Sequence, residues 1–155
     1  MGNKTMCIQF PTNLTFANSA LRISFEKGAN LNRTKDSILI EGTRGGFLSL
    51  SNALSYALND LEDKIDLHLI PYVASDISFS IVCDESLEGV DYGKIFLRGD
   101  SDFIWKMSES EVCNIAGQIH SLGHINPELH FDSGKPNEEI TVYCVVNDEC
   151  PVSIK

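Results

Sequence analysis

The sequence predicts an α+β fold: an antiparallel sheet of about six to eight strands with two helices packed on one face. Three observations predict it. Short runs of period-two hydrophobicity recur along the chain. Only two stretches carry the three-and-four spacing of an amphipathic helix. Strands come in runs rather than alternating with helices, the pattern that separates α+β from α/β. A chain of 155 residues, 43% hydrophobic, is sized for a single domain spanning 1–155, with its packed part over about 4–147.

The elements follow in order. Met6–Phe10 is a short apolar run closed by Pro11. Ala20–Glu26 places Leu21, Ile23 and Phe25 on one face and Arg22, Ser24 and Glu26 on the other, a half-buried strand. Gly28–Lys35 reads as a turn region before a strand at Ser37–Glu41, which together suggest a hairpin. Gly42–Gly46 breaks the pattern, and a helix is expected from Phe47 to Lys64 with Phe47, Leu50, Leu54 and Ala57 on its buried stripe. Asp60, Glu62 and Asp63 stand at its C-terminal end, against the helix dipole.

Strands return at Leu67–Ile70, Asp76–Cys83, Tyr92–Leu97 and Asp102–Met107, the last three arranged as a meander with Asp84–Gly89 as an acidic hairpin loop. Ser108 and Glu111 match a capping box. The helix that follows buries Val112, Ile115, Ala116, Ile119 and Leu122 and ends at Gly123. Asn126-Pro127 and Ser133–Asn137 read as loop, and Ile140–Val146 as an internal strand.

Charge is unevenly spread. The net charge is −10, yet residues 1–59 carry six Lys/Arg against three Asp/Glu, whereas 60–111 carry four against thirteen. A field of that sign disfavours nucleic acid and anionic membranes, and it suits a basic protein partner. Acidity for solubility alone is the plainer alternative.

Cys7, Cys83, Cys113, Cys144 and Cys150 include no C-x-x-C pair, so neither a zinc ribbon nor a thioredoxin-like site is encoded. Cys7, Cys83, Cys113 and Cys144 lie in apolar runs and read as buried reduced thiols, which fits a reducing cytoplasm. The opening Met-Gly-Asn-Lys-Thr-Met-Cys resembles no signal peptide, and Met6 stands where a myristoylation motif wants Ser or Thr. Asn-x-Thr tripeptides at Asn3, Asn13 and Asn32 are therefore read as chance matches.

Catalytic signatures are sparse. His120 and His124 stand at i and i+4 with His130 beyond, which gives the alternative reading of a small metal-dependent hydrolase. The zinc-protease motif needs Glu after the first His, where Ser121 stands, so helix-end histidines complementing the dipole are the competing reading. Gly42–Gly46 lacks both the P-loop and dinucleotide patterns and reads as a turn. No catalytic residue, metal or cofactor is assigned, and the chain is expected not to be an enzyme. The candidate partner-binding residues are Asp84, Glu85, Glu88, Asp91, Asp100, Asp102 and Trp105, an aromatic among carboxylates. Burial of Trp105 in the core is the competing reading for that residue.

The series Gly46–Leu54, then Asp102-Phe103-Ile104-Trp105, then Ile119–His124 with Pro127-Glu128-Leu129-His130, resembles small bacterial immunity proteins of contact-dependent inhibition and polymorphic-toxin systems. The similarity spans about residues 38–146. It implies a cytoplasmic α+β protein that binds and neutralises a cognate toxin domain by blocking its active site or substrate surface. A basic nuclease is the toxin an acidic inhibitor would suit best.

Overall fold

The structure, a computed structural model, describes residues 15–27, 36–59, 64–131 and 140–150. The strand expected at Met6–Phe10, the turn at Gly28–Lys35, the acids at 60–63 and the loop at 133–137 lie outside the described residues.

The α+β class holds, but the single antiparallel sheet does not. Nine strands and two α-helices form among the described residues: β1 (Leu21–Glu26), β2 (Asp36–Gly42), α1 (Arg44–Asn59), β3 (Lys64–Asp66), β4 (Val73–Ser75), β5 (Ser78–Cys83), β6 (Lys94–Gly99), β7 (Asp102–Met107), α2 (Glu109–Leu122), β8 (Glu128–Phe131) and β9 (Ile140–Val146). The strands divide into two mixed sheets, one in the order β4-β1-β2-β9-β8 and the other in the order β3-β5-β7-β6.

In the first sheet β1 and β2 pair antiparallel, as the hairpin reading expects. Parallel pairing with β9 then places Ile38 beside Val142 and Ile40 beside Cys144 on the buried face. Ser37 and Thr141, on the other face of the sheet, are buried as well, their hydroxyls 3.3 Å apart. β8, over residues that the sequence reading assigns to no element, pairs antiparallel with β9 and makes it an internal strand.

The expected meander is rearranged in the second sheet. β7 lies between β5 and β6, parallel to β5 and antiparallel to β6. Residues 84–93 are therefore a crossover and not a hairpin loop. Side-chain chemistry explains the choice: Phe103, Ile104 and Trp105 are all buried, so this strand needs cover on both faces and a neighbour on both edges. The strand expected at Leu67–Ile70 is instead a 3-10 turn over Leu67–Leu69. It is tied down where His68 Nδ1 accepts the Phe79 amide at 3.1 Å.

α1 begins at Arg44, earlier than its glycines suggest, and Lys64 opens β3 rather than ending the helix. Thr43 Oγ1 accepts the Gly46 amide at 2.9 Å and so caps the first turn. Gly42 and Gly46 are small for a tertiary reason. A Cβ at either position would stand 2.3 or 2.7 Å from the Ala20 carbonyl oxygen, where the chain entering β1 crosses.

The helices pack on each other through Ser51, whose hydroxyl donates to the Ala116 carbonyl at 2.8 Å. Gly123 ends α2 as expected, but with φ −77°, in the right-handed region. Its small size makes room for Leu48, which a Cβ would approach to 2.2 Å. Arg44 donates to the carbonyls of Leu122 and Asn126 at 3.0 and 3.3 Å, satisfying orphan acceptors at the end of α2. Both helices and both sheets contribute to one continuous buried cluster, from Leu21 and Phe47 to Trp105 and Cys144.

Candidate functional site

The seven candidate partner-binding residues occupy three different places. Asp84, Glu85, Glu88 and Asp91 lie on the crossover from β5 to β6, at the end of β7 where α2 starts. Asp100 and Asp102 lie at the opposite end of β7. Six residues of extended chain separate the two groups by roughly 17 Å. Trp105 is 2% exposed, stacked at 6.0 Å on Phe79, so it belongs to the core and offers a partner no surface.

The first group is organised by the helix start. Asp84 caps a 3-10 turn over Glu85–Leu87, accepting the Ser86 amide and hydroxyl at 3.0 and 2.6 Å. Those bonds, led by the Ser86 hydroxyl, hold the Asp84 carboxyl below its ordinary pKa. Glu85 accepts the Glu109 amide at 2.8 Å, and Glu88 accepts the Ser110 hydroxyl at 3.1 Å. Ser108 Oγ accepts the Glu111 amide at 3.2 Å, as the capping box requires. The Glu111 carboxylate turns elsewhere, taking the Tyr92 amide at 3.1 Å and the Asn114 side chain at 3.0 Å. The Glu109 amide, the Ser110 hydroxyl and the positive dipole at the start of α2 thus collect carboxylates from a loop distant in sequence. Asp84, Glu85, Glu88, Asp91, Glu109 and Glu111 share this end of the molecule.

Tyr92 and Gly93 aim the chain into β6. Both have left-handed backbones, φ 59° in each case. Gly93 is required there, because a Cβ would lie 2.0 Å from the Lys106 carbonyl oxygen. Tyr92 is held by Glu111 at its amide, and its carbonyl accepts the Trp105 indole at 2.6 Å.

The strand so aimed is one of the two outer strands of its sheet among the described residues. Phe96 and Leu97 on β6 are 44% and 56% exposed, and Lys106 sits over the Phe96 ring at 5.1 Å. At the far end Arg98 pairs with Asp102 at 2.9 Å on the surface. Sequence reasoning missed Phe96, Leu97 and Glu109 as site residues. The unbroken run Ile95-Phe96-Leu97 carried a signal, since it puts apolar side chains on both faces of one strand.

The histidines do not converge on one point. His120 and His124 stay together past the helix end, their ring centroids 4.8 Å apart. His130 lies on β8, 3.1 Å from the Glu128 carboxylate and stacked at 4.2 Å on Tyr143. Among the described residues no group of three or more His, Cys, Asp or Glu side chains stands close enough to share a metal ion. Cys113, expected to be buried, is exposed on α2, whereas Cys144 is fully buried and its thiol pKa is pushed up by that burial. Cys7 lies outside the described residues. No helix among the described residues is long and apolar enough to cross a membrane.

The fold and this surface define a class no narrower than an α+β protein with an acidic end and an apolar outer strand. No protein-family model, curated protein or solved structure matches the chain.

Proposed function

We propose that this chain is a cytoplasmic immunity protein, a stoichiometric inhibitor that binds a cognate basic toxin domain and blocks its active site or substrate surface. The observation that carries the reading is the gathering of six carboxylates around the start of α2, with exposed Phe96 and Leu97 further along β6, opposite Ile104 and Phe103. Fixed charge beside desolvatable apolar surface is what a protein interface uses, the first for encounter and the second for residence. A nuclease domain carries a cationic surface for phosphates, and these carboxylates would compete for it. Asp100 and Asp102, at the other end of β7, form a secondary rim.

The test is co-expression with the toxin domain encoded beside this chain, read as restored growth and as a one-to-one complex on a sizing column. Exposed Asp91 and Glu109 are the residues to reverse. Asp91→Lys with Glu109→Lys should slow association about tenfold at low salt and leave dissociation nearly unchanged. Inhibition indifferent to both substitutions and to ionic strength would remove the electrostatic basis of the reading.

A further inference from the structure

We infer that His120 and His124 form a two-imidazole chelating site for a late first-row divalent cation, nickel(II) or copper(II), at the end of α2. The inference is independent of the partner-binding reading above. Both side chains are exposed, and their ring centroids stand 4.8 Å apart. Ring packing accounts for the distance but leaves the ring nitrogens unused. Among the described residues neither imidazole has a hydrogen-bond or ion-pair partner, whereas His68 is bonded to Phe79 and His130 to Glu128. A neutral imidazole offers one nitrogen lone pair to a metal, and two such rings a helical turn apart reach the same ion.

The backbone that carries the two rings is fixed beforehand. The His120 carbonyl accepts the Gly123 amide at 3.0 Å, and the Ser121 carbonyl accepts the amides of His124, Ile125 and Asn126 at 3.1, 3.0 and 3.2 Å. His124 is thereby held over the last turn although it lies beyond the helix, so binding orders side chains alone. Beside His120, Gly117 leaves the helix face open, since a Cβ there would meet nothing within 4 Å. The negative pole of α2 favours a cation at this end. Arg44 opposes one, because its guanidinium donates to the Leu122 and Asn126 carbonyls on either side of His124 in sequence. The site therefore suits ions that bind imidazole strongly. Affinity rises through nickel(II) to copper(II), and both accept tetragonal coordination with water in the remaining positions. Magnesium and calcium want oxygen ligands instead. His130 supplies no third ligand: it lies on β8 against Glu128, and no group of three or more ligating side chains forms among the described residues.

The experiment uses the full chain without an affinity tag, carrying Cys113→Ser so that the exposed thiol on α2 cannot take the metal. Nickel(II) is the probe, titrated by calorimetry. One ion per chain is expected, with a thermal midpoint that rises with nickel and not with magnesium. His120→Ala and His124→Ala, both at exposed positions, should each weaken binding at least about tenfold. The double variant should lose little more, because a chelate is lost with either ligand. Gly117→His adds a third imidazole one turn before His120 and should tighten binding, while His130→Ala should leave it unchanged. Trp105 emission confirms that each variant is folded. Single variants that keep most of the affinity would reveal independent surface imidazoles and overturn the chelate. An equal loss in His130→Ala would move the site to β8 and overturn the pair. Two chains per ion on a sizing column would give the remaining positions to a second copy and overturn a self-contained site. No saturable binding at all overturns the inference and leaves the partner-binding reading untouched.

Discussion

The Glu85 carboxylate accepts the backbone amide of Glu109 at 2.8 Å, so one acidic residue caps the helix that another begins. The contact joins a crossover loop to a helix start across 24 residues of sequence. It also explains how so many like charges are tolerated in one place. The positive pole of α2 offsets part of their repulsion, and free amides bind their oxygens.

Removing that cap should cost stability before it costs binding. Glu85→Ala and Ser108→Ala are each expected to destabilise the chain by about 1 kcal/mol in urea titrations. The two caps serve one helix turn, so the double variant should lose a different amount from the sum of the singles. Additivity within error would mean that the two amides are independent.

Trp105 is the only tryptophan in the chain, which makes its environment easy to read. Its emission should be blue-shifted in the native protein and shift red on unfolding, with little quenching by iodide while folded. Trp105→Ala should cost about 3–5 kcal/mol through the cavity it leaves. Trp105→Phe should cost less but still about 1–3 kcal/mol, because the Tyr92 carbonyl loses the donor that now lies 2.6 Å away. Emission already at the solvent-exposed wavelength would contradict its burial.

Two glycines separate backbone necessity from chance. Gly93→Ala puts a Cβ against the Lys106 carbonyl at a left-handed backbone position and should destabilise by at least about 2 kcal/mol. Gly117→Ala, within α2 and with nothing within 4 Å of its Cβ, should stabilise by about 0.5–1 kcal/mol. Thermal midpoints moving in the same direction for both would refute the contrast.

Burial raises the pKa of the Cys144 thiol, and it raises that of the Tyr72 phenol as well. In the unfolded chain these groups ionise near about pH 8.5 and about pH 10. Above those values the unfolded state gives up protons that the folded state keeps, so stability is fully present below about pH 8.5 and falls as pH rises. Each group adds at most about 1.4 kcal/mol per pH unit to that fall. Cys144→Ala should flatten its first part, measured as urea midpoints across the alkaline range. A fall unchanged in that variant would place the titrating group elsewhere.

Local chemistry made some elements readable. β7 has the bounds its composition predicts, and α2 (Glu109–Leu122) is bounded by Ser108 and Gly123 because cap and stop residues act within a few positions. Partner choice was not readable in the same way. Asp84–Gly89 has the composition of a hairpin loop, yet β5 takes β7 as its neighbour because β7 is apolar on both faces. Gly45 and Gly46 looked like breakers, whereas their size answers to residues 17–20 passing over them. At the candidate site, the acids of the crossover were visible in composition. Their attachment to α2, and their distance from Asp100 and Asp102, depend on the crossover.

The pairing of β2 with β9 joins segments about 104 residues apart. At ordinary translation speeds of about 5–20 residues per second, β2 exists for roughly 5–20 s before β9 leaves the ribosome. During that interval Ile38 and Ile40 belong to a nascent strand that has β1 on one side but whose second neighbour, β9, has not been made. The newborn chain is therefore exposed to mispairing for a time set by the ribosome, and slower translation lengthens it.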